Sequence, residues 1–317
     1  MIPMDILLSI AFFSQIGIGV QGNLFLLYLF SILFFTGQNL RLIDLILSQL
    51  TLANSLVLLS KGFLQGLAAL GLKNLLDDIG CKIVFYLHRV GRELSLCITC
   101  LLSGFQAIII SPQNYRFMKL KTRGPRYIIP SILFCWIYSM LQNIVILQIL
   151  EGPRSTRNTS ETKIYWYCSV NSATDISASL HAIVFSLPDA VCITFISLTS
   201  GYKVYLLYKH HKRVQQLHSD RFLLRASPET RATQTILLLV IIFVAFYLLN
   251  SILTAWMHSM TPRLWLWHSS AFLASCFPMV SPFVLISGDS QILKYYRAVH
   301  GRKSLHPGNK LPRPRSS

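Results

Sequence analysis

Seven stretches of this chain are long and apolar enough to cross a bilayer, and few architectures can accommodate that. A spanning helix needs about 20 mostly apolar residues. Stretches at about 6–34, 42–60, 83–110, 127–150, 176–208, 232–257 and 265–286 qualify. Inside hydrocarbon every backbone N–H and C=O must find a partner within the protein, and a helix supplies its own. The expectation is an all-α membrane protein, a seven-transmembrane helix bundle over residues 1–290 with a short basic tail over 291–317. Only 13% of the residues are charged and 53% are hydrophobic, whereas soluble domains run near 25% charged. The second stretch is the weakest, because Asp44, Ser48, Gln49 and Asn54 interrupt it. The first has no basic leading region and is too long for a cleaved signal peptide, so it is expected to stay in the mature protein. The stretches lack the two-halved symmetry of many transporters.

Charge sets the expected orientation. Arg116, Lys119, Lys121, Arg123 and Arg126 lie between helices three and four without an acid. Lys209, Lys212, Arg213, Arg221, Arg225 and Arg231 lie between five and six, and the tail adds seven more basic residues from Lys294 to Arg315. The opposite loops mix both signs. Positive loops stay in the cytoplasm, so the N-terminus is expected outside and the C-terminus inside a multi-pass plasma-membrane protein. Much of the net charge of +17 is then topology plus attraction to an anionic bilayer or a cytoplasmic partner. No soluble basic module is legible, so nucleic acid is not expected as a partner.

Two features agree with that orientation. Asn158-Thr159-Ser160 is the sole acceptor sequon of the chain and falls in an expected outer loop. Cys81 and Cys168 fall on the same side, in an oxidising compartment. A bond between them would close a loop of about 90 residues, worth about 4 kcal/mol on the chain-entropy account; two free thiols are the alternative. The other five cysteines lie in apolar runs and read as small buried hydrophobes. No Cys/His spacing suits zinc, no metal or cofactor is expected, and no nucleophile, base and acid recur at one depth, so the chain is not expected to be an enzyme.

Seven helices, an outer N-terminus and a bridge from helix three to the second outer loop resemble a G-protein-coupled receptor. Gly22-Asn23, "LTLAN" at 50–54, Trp136, Pro188 and Pro282 fit its landmarks. Several rhodopsin-like motifs are replaced. "FQA" at 105–107 stands where helix three usually carries Asp-Arg-Tyr, Asn54 stands for an Asp, and "SPFVL" at 281–285 stands for Asn-Pro-x-x-Tyr. An allosteric sodium site and the usual inner ionic lock are therefore not expected. One branch carries such replacements as its own pattern. "LTLANSLVLLSKG" (50–62), "DDIGCKIVFYLHRVGRELS" (77–95), "CLLSGFQAIIISP" (100–112), "SPETRATQTILLLV" (227–240) and "CFPMVSPFVLISGD" (276–289) resemble the vomeronasal type-1 receptors. That resemblance implies a chemosensory receptor that binds a small semiochemical from outside and activates an inhibitory-type heterotrimeric G protein. A bitter-taste-like chemoreceptor is the near alternative, and a carrier or channel the alternative of another class. A carrier would need polar groups along both halves of a path, whereas the inner halves of helices three and six read as almost wholly apolar.

Helix three opens with His88, Arg89, Arg92 and Glu93. At 100° per residue His88, Arg92 and Ser95 share one face, and Arg89 and Glu93 are spaced to pair. Arg92 and His88 are candidates to bind a polar or anionic ligand group; Asp175 or Asp189 of helix five are the structural partners that compete for Arg92. Glu93 departs from the small residue typical of the family there and is expected to set selectivity. Helix five offers His181 and Phe185, and helix six offers Asn250 and Thr254, with Tyr247 read as packing. The expected ligand set is thus His88, Arg92, Glu93, Ser95, His181, Phe185, Asn250 and Thr254. Ser227-Pro228-Glu229 is a helix start by capping, first-turn proline and acid. Arg225 and Arg231 flank it and, with Arg116 and Lys119, are expected to face the G protein.

Overall fold

The computed structural model describes residues 4–36, 41–62, 66, 77–111, 115–145, 147, 150–151, 163–165, 168–170, 175–217, 228–259, 264–288 and 292. Its long helices are α1 (Met4–Phe35), α2 (Leu42–Val57), α3 (Asp78–Ile110), α4 (Tyr115–Gln142), α5 (Asp175–Leu217), α6 (Pro228–Ser259) and α7 (Leu264–Gly288). α2 runs on into a π-helical turn, Leu58–Gly62. Six helices are long and apolar enough to cross a membrane on their described residues, α4 being the exception. The all-α expectation needs one amendment. Strands β1 (Leu150–Glu151), β2 (Lys163–Tyr165) and β3 (Cys168–Val170) form a small antiparallel sheet in the order β1-β3-β2. Leu150 pairs with Val170, and Tyr165 pairs with Cys168.

Three helices begin or end well away from the expected positions: α5, expected over 176–208, runs on to Leu217 through residues expected in an inner loop, and α3 and α4 shift for local reasons. α3 starts at Asp78, five residues before the apolar run, because the Asp77 carboxylate caps it and accepts from the Gly80 N–H at 2.8 Å. Lys82 and Asp78, one turn apart, add a 3.0 Å ion pair there. α4 was expected over 127–150 but runs from Tyr115 to Gln142. Its start reaches back through the basic segment, and its end precedes a turn in which Ile144 N–H bonds Leu141 O at 3.2 Å. Leu150 then belongs to the sheet rather than to a helix.

The polar residues that weaken the second stretch all find uses in α2. Asp44 is fully buried and pairs with Arg41 at 2.7 Å across the helix start. Ser48 Oγ donates back to Leu45 O at 2.7 Å. Gln49 Oε1 accepts from the Trp136 indole of α4 at 3.0 Å. Asn54 donates to Ser281 Oγ of α7 at 2.9 Å and accepts from Ser95 Oγ of α3 at 3.2 Å. In lipid such bonds link helices without any help from water exclusion.

Close approach is the other device. A Cβ on Gly22 of α1 would stand 2.8 Å from Pro282 Cγ of α7, and one on Gly91 of α3 would stand 3.2 Å from Ala53 O of α2. Absent side chains let these backbones meet. Pro282 has no N–H to give to the carbonyl of Pro278 one turn earlier. Asn23 of α1 satisfies that carbonyl instead, at 2.8 Å. Leu47, Leu50, Leu94, Ile98, Leu102, Leu239, Val240 and Phe277 fill the interior, whereas Leu133, Ile137, Leu141 and Leu198 are more than half exposed. An apolar exterior around a polar-linked interior is the pattern of a bundle whose solvent is lipid.

Candidate functional site

The middle of the bundle, toward the Cys81 end of α3, holds a charge cluster built from three helices. Arg92 of α3 donates from Nη2 to Asp189 Oδ2 of α5 at 3.1 Å and to the Tyr247 hydroxyl of α6 at 2.8 Å. Tyr247 in turn donates to Asp189 Oδ2. The guanidinium carbon lies 5.0 Å from the Tyr247 ring centre, a cation–π distance. Of the two candidate acids, then, Asp189 takes Arg92; the side chain of Asp175 lies outside the described residues. Asp189 directly follows Pro188, and that placement sets the carboxylate against α3.

Beside this cluster a cavity of about 50 Å³ opens between α3, α6 and α7. His88, Arg92 and Ser95 line it from α3, Phe246, Tyr247 and Asn250 from α6, and Phe277 from α7. The shared face of His88, Arg92 and Ser95 expected from helical spacing is therefore the cavity wall. Asn250 is held in place by Ser270 of α7, whose hydroxyl donates to its carbonyl at 3.0 Å. Ser95 is anchored below by Asn54.

The other expected ligand residues fare differently. Glu93 is buried, but it turns toward α5, within hydrogen-bond reach of Asp189. It is not part of the cavity wall. Its place in the expected set came from its departure from the family's small residue, and residue 93 lies 100° around the helix from Arg92. Thr254 spends its hydroxyl on Asn250 O of its own helix, at 2.8 Å. The side chains of His181 and Phe185 lie outside the described residues. The anticipated Arg89–Glu93 pairing gives way to a hydrogen bond from Arg89 Nε to Asn143 Oδ1, at the end of α4, at 3.1 Å. Asn143 had no signal in sequence beyond its position inside the fourth apolar stretch. Tyr247, taken for packing, is a full member of the polar cluster.

Cys81 is disulfide-bonded, while Cys97, Cys100, Cys135, Cys192 and Cys276 are free. The side chain of Cys168 and all of Asn158 lie outside the described residues. Cys97 and Cys100 are spaced as Cys-x-x-Cys, and Cys97 Sγ lies 4.0 Å from Glu93 Oε1. Among the described residues no group of three or more His, Cys, Asp or Glu side chains is disposed to hold a metal. Of the residues expected at the G protein, Arg231 is exposed in the first turn of α6. The side chains of Arg116 and Lys119, and all of Arg225, lie outside the described residues.

The opposite half of the bundle corrects another expectation. α3 is not apolar there. Lys203 of α5 is fully buried and donates to Ser103 Oγ and Gln106 Oε1 of α3, each at 3.0 Å. Ser103 also bonds Thr199 of α5 at 2.7 Å. Lys203 falls inside the stretch expected as helix five, and only the three-dimensional register shows that it faces inward.

The sequence profile of the Vomeronasal organ pheromone receptor family matches residues 6–298. The chain belongs to that family. It is 46% identical to human "Vomeronasal type-1 receptor 1" over 300 residues, covering 94% of this chain and 85% of that one. It is 44% identical to human "Vomeronasal type-1 receptor 3" over 304 residues, covering 96% and 97%. Against mouse "Vomeronasal type-1 receptor 45" the identity is 35% over 287 residues, with 90% of each chain covered. A member of this receptor family is a multi-pass membrane protein of the G-protein-coupled type, and here the Arg92 cluster borders the cavity between α3, α6 and α7.

Proposed function

We propose that this receptor crosses the membrane seven times with its N-terminus outside, binds a small semiochemical at the cavity beside Arg92, and activates an inhibitory-type heterotrimeric G protein. The observation that carries the reading is the convergence of His88, Arg92, Ser95 and Asn250 on one cavity. Its size gives the mechanism. An engineered cavity that binds benzene measures about 150 Å³, three times the 50 Å³ found here. A ligand must therefore displace cavity-wall rings, of which Phe246 and Tyr247 belong to α6. A polar or anionic group reaching Arg92 competes with Asp189 and Tyr247 for the guanidinium. Either event loosens α6 and α5 from α3, and a ligand that favours the loosened state shifts the population toward it. Glu93 acts on ligand choice through Asp189 rather than by contact.

Reporter cells that read cyclic AMP test this. An agonist should lower the signal, and Ser95→Ala with Asn250→Ala should weaken its potency at unchanged surface display. Arg225→Ala with Arg231→Ala should cut the maximal response while ligand binding holds. A response that persists in cells lacking inhibitory-type Gα overturns the coupling, unaltered potency in the cavity variants overturns the site, and an intact maximum removes the two arginines from the G-protein contact.

We further propose that Cys168 is the partner of Cys81 and that Asn158 is glycosylated on the same side of the membrane. β3 begins at Cys168 and is paired on both edges, by β1 and β2, so a bridge to the first turn of α3 would fix the sheet over the bundle. Peptide mapping of the unreduced, cell-surface protein should recover a Cys81–Cys168 linked pair and a glycan on Asn158. Free thiol on Cys168, or an unmodified Asn158 in glycosylating cells, would refute the respective half.

A further inference from the structure

A second cavity, of about 270 Å³, lies between α3, α4 and α5 and shares no residue with the one at Arg92. Cys100, Leu101, Gly104, Phe105 and Ile108 line it from α3, Tyr127, Ile128 and Ser131 from α4, and Phe195 from α5. We propose that this groove is a binding site for an uncharged membrane sterol. It opens on the lipid-facing side: Phe195 is 44% exposed and Tyr127 is 52% exposed, and hydrocarbon is what surrounds spanning helices at that depth. Only a bilayer constituent reaches it.

Three features choose a fused-ring molecule over a flexible acyl chain. The recess runs beside Gly104; a Cβ there would stand 3.3 Å from the Phe195 ring, so a larger side chain at 104 has to push into the groove. The walls carry flat aromatic faces, Phe105, Phe195 and Tyr127, which offer a rigid planar ligand continuous contact. A chain with many rotamers would lose more entropy for the same contact. The stretch of α3 along the groove, Cys100 to Ile108, rises roughly 12 Å, the length of a four-ring skeleton. The polar atoms also sit at one end. The Tyr127 hydroxyl makes no hydrogen bond among the described residues, next to the exposed Arg126, and Tyr and Arg in that position mark the headgroup boundary. Ser131 Oγ, one turn along, donates to Tyr127 O at 2.7 Å and keeps its lone pairs for an incoming hydroxyl. A sterol lying along the groove would place its hydroxyl at Tyr127 and its rings against Gly104.

The test uses the full receptor in phospholipid nanodiscs with a photoactivatable sterol, and in parallel a photoactivatable phosphatidylcholine carrying its probe on the acyl chain. The sterol should label peptides spanning 100–108 or 127–131, unlabelled sterol should compete, and Gly104→Leu, which fills the recess, should abolish that labelling. Tyr127→Phe, which leaves the recess intact and removes only a hydroxyl, should erase the preference for the sterol over its 3-O-methyl ether. Equal labelling by the acyl-chain probe without sterol competition would assign the groove to ordinary lipid and overturn the proposal. So would sterol labelling that survives Gly104→Leu in a folded receptor, or an undiminished hydroxyl preference in Tyr127→Phe.

Discussion

Asp189→Ala is expected to destabilise the receptor by about 2–3 kcal/mol, more than any other single truncation in the cavity. Breaking a fully buried ion pair from one side costs about 3–5 kcal/mol, because the remaining charge is left without compensation. Here the Asp189 side chain is 17% exposed and that of Arg92 is 36% exposed, so partial hydration of Arg92 lowers the figure. Tyr247 loses its acceptor in the same stroke. The control is the double variant Asp189→Leu with Arg92→Met, which removes both charges and leaves no orphan. It should recover most of the lost stability, yet it should no longer respond to a ligand carrying an anionic group. Thermal unfolding of the solubilised receptor, with surface staining in cells, checks both. A single variant as stable as the parent, or a double variant as unstable as the single, would show that the Arg92 cluster does not hold α3, α5 and α6 together.

Lys203 should give the widest contrast between two substitutions at one position. Its ammonium is fully buried, and its two hydrogen-bond partners, Ser103 and Gln106, are both neutral. Gln106 Nε2 is left without a hydrogen bond, so the local network is not fully satisfied. Burying an ion costs several kcal/mol, and well-packed apolar replacements of buried ions run from neutral to about 1–4 kcal/mol more stable. Lys203→Met keeps the volume and removes the ion, and should be neutral or stabilising. Lys203→Ala removes the ion and also the volume, and large-to-small changes in a packed interior cost about 2–5 kcal/mol. Unfolding midpoints in urea for the two variants should fall on opposite sides of the parent or nearly so. If both fall together well below it, the hydrogen bonds to Ser103 and Gln106 outweigh the desolvation of the charge.

How far the sequence could be read depended on whether a feature was periodic or merely present. Apolar runs located the long helices because lipid demands a continuous stretch, and residue 88, 92 and 95 fell on one cavity wall because helical spacing fixes relative direction. Glu93 entered the expected set on its departure from the family pattern, a signal that carries no direction, and as the residue after Arg92 it points 100° away. The start of α3 at Asp78 was legible in Asp77 as a cap, but the apolar run drew attention past it. Tyr247 was read by residue type, as packing, and Lys203 lay unremarked inside the fifth apolar stretch. Their roles depend on which way α5 and α6 are rotated about their own axes, and those helices are apolar on so many sides that no amphipathic stripe declares it. The sheet around Cys168 was hidden for another reason: its strands are two or three residues long and take their stability from pairing with each other.

The bond from Asn23 to the Pro278 carbonyl spans a sequence separation of 255 residues, and that from Gln15 to the Phe272 carbonyl spans 257. Both run from the first helix to the last. During synthesis α1 therefore enters the membrane with two amide side chains that cannot reach their final acceptors until α7 has left the ribosome. Over that interval the nascent chain carries unspent donors in hydrocarbon, where they are costly. Maturation is therefore expected to wait on α7, and chains truncated before it should be retained in the endoplasmic reticulum.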